Sequence, residues 1–267
     1  FIETPVGDLI DGNLARLPVD AGSLSVIATN SLQLDGSLVP TTTGGRGAQV
    51  DISADDITVL SAPGSGDGIE LLASSLRLLG ADSLMIGGFR EQADGVTRVT
   101  TGASQLTVAP GLELDIPELL LVADALEIQA TARQSTSLSS DVAASGREEV
   151  LQLDGDAAFV AVSGNRILQQ RSGVSGNQTG RLVVAEQASL GGSGTVALDV
   201  AGDVNAAGSL ETRGGLLSLG ASSVSIGDTD GRGIDSGLVL SNEALARLQG
   251  SSLRLRSDGF VDVYGSV

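Results

Sequence analysis

The stretch Val50-Asp-Ile-Ser-Ala-Asp-Asp-Ile-Thr-Val59 places apolar residues at alternate positions on each side of a central alanine. Alternation at i and i+2 is typical of a β-strand with one buried face. The small side chain of Ala54 suits a tight interior corner, where a larger side chain would clash. The stretch therefore predicts two short strands that meet at a corner.

The same pattern, apolar-x-apolar-x-Ala-x-x-apolar-x-apolar, begins again at Ile69, Leu119 and Leu217. Val50 and Ile69 are 19 residues apart, and so are Leu198 and Leu217, which indicates a repeat. Short strands repeated at this period can stack as successive coils about 4.8 Å apart. A leucine-rich repeat has a similar period, but it needs an Asn or Cys at a fixed place after its leucine ladder, and none recurs here. The sequence predicts an all-β fold, a parallel β-helix with coils of about 19–20 residues that covers residues 1–267 as a single segment.

Three stretches interrupt the repeat, and they are rich in Gly, Ser, Thr and Gln. They are residues 87–104, 131–149 and 163–180, which we expect to form loops projecting from a corner of the coil. A different signal appears from Ser241 to Gly250, where a capping serine, good helix formers and a terminal glycine predict a two-turn helix. Alternation then returns at Leu253-x-Leu255 and from Phe260 to Tyr264, which predicts two more strands.

Composition excludes several classes of function. The net charge is −18, all fifteen basic residues are Arg, and His, Cys and Trp are absent. Without His and Cys there is no Ser-His-Asp or Cys-His nucleophile and no zinc site of the usual kind. Without Lys there is no Walker-type phosphate loop and no Schiff base. Because the chain is acidic and only 2% aromatic, it also lacks the cationic surface and stacking platforms of a nucleic-acid partner.

The chain shows no membrane-spanning pattern. The longest apolar run is Ala157 to Val162, about a third of the ~20 residues that a membrane helix needs. No basic-then-apolar leader follows Phe1, which is consistent with a mature chain or a segment of a longer protein.

Residues 198–219, Leu-Asp-Val-Ala-Gly-Asp-Val-Asn-Ala-Ala-Gly-Ser-Leu-Glu-Thr-Arg-Gly-Gly-Leu-Leu-Ser-Leu, resemble the repeats of bacterial filamentous haemagglutinin-type exoproteins. The resemblance implies a right-handed β-helix, secretion by the two-partner route and a place at the cell surface. It further implies that the chain is a shaft segment of an adhesin. The implied partners are an outer-membrane transporter during export and a receptor or glycan on a host or neighbouring cell.

One Gly-rich turn, residues 227–235, carries three carboxylates that form a candidate calcium site: Asp228, Asp230 and Asp235. Calcium takes six to eight oxygen ligands, and an Asp-x-Asp-Gly turn supplies several. The EF-hand pattern is incomplete, because a third Asp or Asn before the Gly and a closing Glu are missing. The alternative is a solvated turn, and Asp154-Gly-Asp156 is a weaker candidate. No other cofactor is expected.

Two further functions stay open beside the adhesin shaft. One is a carbohydrate-active β-helix enzyme, which needs paired carboxylates such as Asp55 and Asp56. The other is a structural passenger module without a ligand. Arg77, Arg254 and Arg256 alternate with leucines, so we expect them on outward, solvated strand positions. Chance pairs are frequent among 33 acidic residues, and a non-enzyme is therefore expected.

Overall fold

In the computed structural model, the described residues are 20–38, 45–64, 66, 68–93, 96–140, 148–229, 231–234, 237–247 and 252–265. The strands up to residue 140 are β1 (Ser23–Ile27), β2 (Gln49–Ser53), β3 (Asp56–Leu60), β4 (Ile69–Leu72), β5 (Ser83–Ile86), β6 (Gly88–Ala93), β7 (Val96–Thr101), β8 (Gln105–Val108), β9 (Glu113–Asp115), β10 (Glu118–Ala123), β11 (Ala125–Ile128) and β12 (Thr136–Ser140). Those that follow are β13 (Glu148–Asp154), β14 (Ala158–Ser163), β15 (Arg166–Ser172), β16 (Arg181–Val184), β17 (Ala188–Gly192), β18 (Thr195–Asp199), β19 (Asp203–Ala206), β20 (Ser209–Thr212), β21 (Leu216–Ala221), β22 (Val224–Gly227), β23 (Leu238–Ser241), β24 (Ser252–Ser257) and β25 (Val261–Tyr264). The short helices α1 (Ala73–Leu78) and α2 (Asn242–Arg247) complete the described elements, so the fold is all-β, as predicted.

The strands form several stacked sheets with mainly parallel pairing. A long sheet has the order β1-β2-β5-β10-β14-β18-β21-β24, a second sheet β19-β16-β11-β8-β3-β4, and a third sheet β20-β17-β12-β9. An end sheet has the order β23-β22-β25. The chain visits the long, second and third sheets in turn, as β10, β11 and β12 and again as β18, β19 and β20. This arrangement fits a parallel β-helix.

Register puts like residues on top of one another. In the second sheet, Leu106 pairs with Leu126, and Leu126 with Leu182. In the third sheet, Leu114, Leu138, Leu190 and Leu210 form a comparable ladder. One contiguous apolar core includes residues from all four of these sheets, and most of its members are nearly inaccessible to water. Alternation in the sequence therefore identifies the buried face of the strands correctly.

The spacing between stacked strands is less regular than the sequence repeat predicts. Leu106 pairs with Leu126, and Val196 pairs with Leu217, and both of these intervals are close to the predicted period. In the long sheet, however, Val50 pairs with Leu84, which is much further along the chain. The longer intervals contain inserted strands and helices, so a single sequence period does not describe the stack.

Much of what was expected as projecting loops is β-structure. β6 and β7 pair antiparallel as a hairpin, while residues 94–95 lie outside the described part of the chain, and β13 and β15 join the pair in an outer sheet with the order β15-β13-β7-β6. The interval 163–180 thus contains β15. The interval 131–149 contains β12, a member of the third sheet, while its residues 141–147 lie outside the described part of the chain. The composition of residues 87–104 and 163–180 resembles that of loops because the outward-facing positions of the outer sheet carry polar side chains.

The outer sheet is held to the long sheet through a second apolar core. Its members come from β5, β7, β10, β13, β14, β15 and β18 and from the residue just before β14: Met85, Val99, Leu120, Val122, Leu151, Leu153, Ala157, Phe159, Ala161, Ile167 and Ala197. The centre of the long sheet is thus buried on both faces. β14 runs antiparallel to both neighbours, β10 and β18, and all six of its residues are buried.

One structural unit occurs twice. The order β2-β3-β4-α1-β5 is repeated as β21-β22-β23-α2-β24. In the first copy β4 pairs in parallel with β3, and in the second copy β23 pairs in parallel with β22. A glycine with positive φ precedes both β4 and β23, Gly68 at +89° and Gly237 at +80°. A Cβ at these positions would lie 2.9 Å from the carbonyl oxygen of Asp56 and 2.5 Å from that of Ser223, respectively. Glycine is therefore required by both backbone conformation and close approach.

The repeated unit corrects one expectation and confirms another. The pattern that begins at Ile69 does not form two strands around a corner, because Ala73 starts helix α1 and Leu78 is 68% exposed. The helix predicted near the end of the chain is confirmed as α2, where the Ser241 hydroxyl accepts a hydrogen bond from the N–H of Ala244 at 3.1 Å. The strands expected after it are confirmed as β24 and β25. Within the described residues, neither helix is long and apolar enough to cross a bilayer.

Candidate functional site

The predicted calcium turn is only partly described. Asp228 follows β22 and is exposed, and its N–H donates to the carbonyl of Tyr264 at 2.9 Å. Its carboxylate lies 3.8 Å from the guanidinium of Arg232, which in turn stacks 4.7 Å from the centre of the Tyr264 ring. Asp230 and Asp235 lie outside the described residues. Over the described ranges, no group of three or more acidic side chains is arranged to hold a metal.

The weaker candidate at Asp154-Gly-Asp156 has a structural role. The Asp156 carboxylate accepts hydrogen bonds from the N–H groups of Ser175 and Thr179, at 2.7 and 2.9 Å, and from both hydroxyls. Burial of Asp156 opposes its ionisation, but these hydrogen bonds outweigh it and lower the pKa of the carboxyl below its ordinary value. Asp156 therefore fixes the turn that follows β15.

The acidic pair Asp55 and Asp56 lies where β2 ends and β3 begins. Asp55 is exposed at the corner between β2 and β3, where it accepts a hydrogen bond from the Ser104 hydroxyl. Asp56 is the first residue of β3 and is half-buried. This corner position is the one expected from the sequence.

The three arginines expected to be solvated on strands behave differently from one another. Arg77 is exposed, but it lies in helix α1 rather than on a strand. Arg254 and Arg256 do lie on β24, yet both are half-buried. Arg254 donates to the carbonyl oxygen of Gln169 on β15 at 3.0 Å, and Arg256 pairs with Asp199 on β18. The expectation of solvation is wrong for these two because partners from distant strands meet their side chains on the face that alternation assigned to solvent.

An ion-pair cluster fastens one edge of the outer sheet. Arg90, on β6, donates from Nε and Nη2 to Asp51 Oδ1 at 2.9 and 2.6 Å, and its guanidinium is 5% exposed. Its Nη1 also lies 3.7 Å from Glu118 on β10. Ser83 and Ser163 donate their hydroxyls to the Glu118 carboxylate at 2.6 and 3.0 Å. The cluster thus joins four neighbouring strands of the long sheet, β2, β5, β10 and β14, to the hairpin.

A second cluster fastens the opposite edge. Asp199, at the end of β18, is fully buried between Arg171 on β15 and Arg256 on β24. Arg171 Nε and Arg256 Nη2 donate to the same oxygen, Oδ1, at 2.6 and 2.8 Å. Although burial alone would lower it, hydrogen bonding and the charges of Asp199 and Asp258 raise the pKa of Arg256. Asp199 thus joins β15 of the outer sheet to β18 and β24 of the long sheet.

A cleft of about 270 Å³ lies beside the first cluster, and its walls include Arg46, Asp82, Glu118 and Glu149. Burial, and next the negative charge of Glu118, raise the pKa of Glu149 above its ordinary value. Both oxygens of Glu118 accept hydrogen bonds from the protein. The cleft thus brings Glu149, with its raised pKa, together with the carboxyl groups of Glu118, Asp82 and Glu148.

A larger groove, of about 640 Å³, lies between the corner that joins β19 to β20 and the β23–α2 unit. Leu219, Leu238 and Leu240 form part of its apolar wall, and Glu186 and Glu211 are its acidic residues. No local sequence pattern marks this groove, because it forms where the terminal strands of three sheets, β19, β20 and β23, come together.

Comparisons with known proteins give no relative. No family model, curated protein or solved structure matches the chain.

Proposed function

We propose that this chain is a shaft segment of an exported bacterial surface adhesin, folded as a right-handed parallel β-helix. The observation that carries the proposal is the in-register stacking of apolar ladders across several parallel sheets. Stacked coils of this kind give length and a continuous lateral surface for presenting a binding face. Eight strands in the long sheet correspond to about 34 Å of shaft at about 4.8 Å per step.

The braced outer sheet is the binding face in this proposal. Its register aligns Glu91, Arg98, Gln152 and Gln170 in one row across four strands. Glu91, Arg98 and Gln170 are exposed. Side-chain amides and an opposed Arg and Glu offer hydrogen bonds without a net charge, which suits a hydroxyl-rich, uncharged glycan. Because the sheet is clamped by two buried ion clusters, little ordering entropy would be lost on binding.

The experiment is binding of the purified chain to an array of glycans and matrix proteins, with chromatographic analysis of the same polysaccharides for cleavage. We expect saturable glycan binding without shortened products. Arg98→Ala combined with Gln170→Ala should weaken binding at least about tenfold. The control is Glu127→Ala, an exposed residue on β11 in the second sheet, which should leave binding unchanged.

Three results would count against the proposal. Shortened polysaccharide products would favour a carbohydrate-active enzyme. Absence of any binding would favour a passenger module without a ligand. A left-handed coil in an experimental structure would contradict the shaft itself.

A further inference from the structure

The terminal strands of three sheets border the groove described above. β19, β20 and β23 are each the terminal strand of their sheet, and residues from all three contribute to the walls of the groove. An edge strand presents a row of backbone N–H and C=O groups to whatever lies beside it. The groove therefore offers backbone hydrogen-bonding groups as well as side chains.

The apolar wall of the groove belongs to the main apolar core. Leu219 is 1% exposed, and Leu238 and Leu240 are each 6% exposed. All three are members of the contiguous core cluster, and Leu210 of β20 packs against that cluster as well. Side chains that enter the groove would meet the interior of the stack, where apolar groups are favoured.

The two copies of the repeated unit differ at this place. In the first copy, α1 packs against β9, the terminal strand at the other end of the third sheet. In the second copy, α2 packs against β22 and β23, and Ala244 is its one described residue that lines the groove beside β20. The helix that covers a strand edge in the first copy thus leaves a space beside β20 in the second.

The charge and size of the groove limit what it can bind. Glu186 and Glu211 lie at its border, and the chain as a whole carries a net charge of −18. Its volume of about 640 Å³ falls within the range of binding pockets. These features favour a cationic occupant that has apolar side chains.

We propose that this groove binds an extended peptide segment of a partner protein, with apolar residues at alternate positions and flanking Lys or Arg, which adds as a strand to β20. Main-chain hydrogen bonds to the edge of β20 supply affinity, and alternate side chains enter the apolar wall. The flanking cations pair with Glu186 and Glu211. A lipid or other apolar small molecule would fill the space but would leave the strand edge without hydrogen-bond partners.

The test uses the intact chain and a fluorescent peptide of sequence Lys-Val-Thr-Val-Thr-Val-Lys, with fluorescence anisotropy as the readout. We expect saturable binding that weakens with added salt. Glu211→Arg should weaken it at least about tenfold, because it places like charges together. Glu127→Arg, a reversal of an exposed glutamate on β11, is the matched control and should have no effect. Unchanged circular dichroism would establish that both variants fold.

Two further peptides separate strand addition from other modes. A peptide of the same composition, shuffled to remove the alternation, and a peptide N-methylated at alternate residues should each bind at least about tenfold more weakly. Equal binding of the N-methylated peptide would overturn strand addition. The proposal would likewise fail if the parent peptide did not bind at millimolar concentration, or if a fatty acid bound the groove and the peptide did not. Glu211→Arg should leave glycan binding by the outer sheet intact, so the two proposals fail separately.

Discussion

The charge of Asp199 stabilises the attachment of the outer sheet to the long sheet. Asp199 is completely inaccessible and pairs with Arg171, whose side chain is 1% exposed, and with Arg256, whose side chain is 18% exposed. Asp199→Ala would leave Arg171 buried with only carbonyl partners, at Gly155, Ala157 and residue 199 itself. Breaking a buried ion pair from one side costs about 3–5 kcal/mol, because the remaining charge stays buried without compensation. We expect a loss of that size in the free energy of unfolding.

The assay is urea denaturation followed by circular dichroism, with amide hydrogen exchange to locate the effect. Exchange should accelerate first in β15, since Arg171 joins that strand to the long sheet. Asp199→Asn keeps the shape of the side chain and should retain most of the penalty if charge is the cause. Asp203→Ala removes an exposed aspartate from β19 and should change stability by less than about 0.5 kcal/mol. A loss below about 1 kcal/mol for Asp199→Ala would refute the view that this cluster fastens the outer sheet.

Three more substitutions test other parts of the structure. Phe159→Ala empties a fully buried site in the second core and should cost about 3–5 kcal/mol by urea denaturation, whereas a loss under about 1 kcal/mol would mean that the outer sheet is not packed there. Because the folded-state pKa of Glu149 is raised, the folded state binds a proton more readily than the unfolded state, and stability should increase as pH falls from the raised pKa towards 4.5. Glu149→Gln should remove that pH dependence and stabilise the chain at pH 7. The control is Glu148→Gln, at a neighbouring side chain that is 52% exposed, and it should do neither. Equal pH profiles for the two variants would contradict the assignment of the pH dependence to Glu149. Gly237→Ala should lower stability by about 1–3 kcal/mol through strain at φ +80°, measured by thermal denaturation, and an unchanged melting temperature would be the opposing result.

Strand positions could be predicted from sequence wherever one face of the strand is buried and the other is open. Leu106 and Leu126 belong to strands of this type, with burial alternating along each. The periodicity is local, so it needs no knowledge of neighbouring layers. Helix α2 could be predicted from the sequence equally well, because its capping serine lies next to it in the chain.

The interval from Ile69 to Leu78 could not be resolved by the same rule. Ala73 and Leu76, both buried, are spaced as i and i+3, which suits a helix as well as the predicted corner and strand. No side-chain hydrogen bond from Leu72 caps the helix, so the sequence carries no start signal there. The helix forms because its apolar face packs on the core, a tertiary effect that local pattern does not contain.

The roles of Asp51 and Asp199 lay beyond sequence reasoning for another reason. Each alternates with core residues on a strand of the long sheet, so alternation assigns it to the outward face, which is normally solvated. The outer sheet, brought in by distant segments, covers that face and supplies Arg90 and Arg171. A charged residue at an outward strand position therefore indicates only that its side chain contacts either water or an opposite charge.

β14 explains why the outer sheet is part of the fold rather than an attachment. The chain leaves β13 in the outer sheet, enters the long sheet as β14 and returns to the outer sheet as β15. The connections, residues 155–157 and 164–165, are too short for anything but a reversal, so β14 must run opposite to β13 and β15. Because β14 lies between β10 and β18, its Val160 and Val162 complete the main core while Phe159 completes the second. Neither core can close without this strand, and the proposed binding face is therefore held in position by the same residues that hold the stack together.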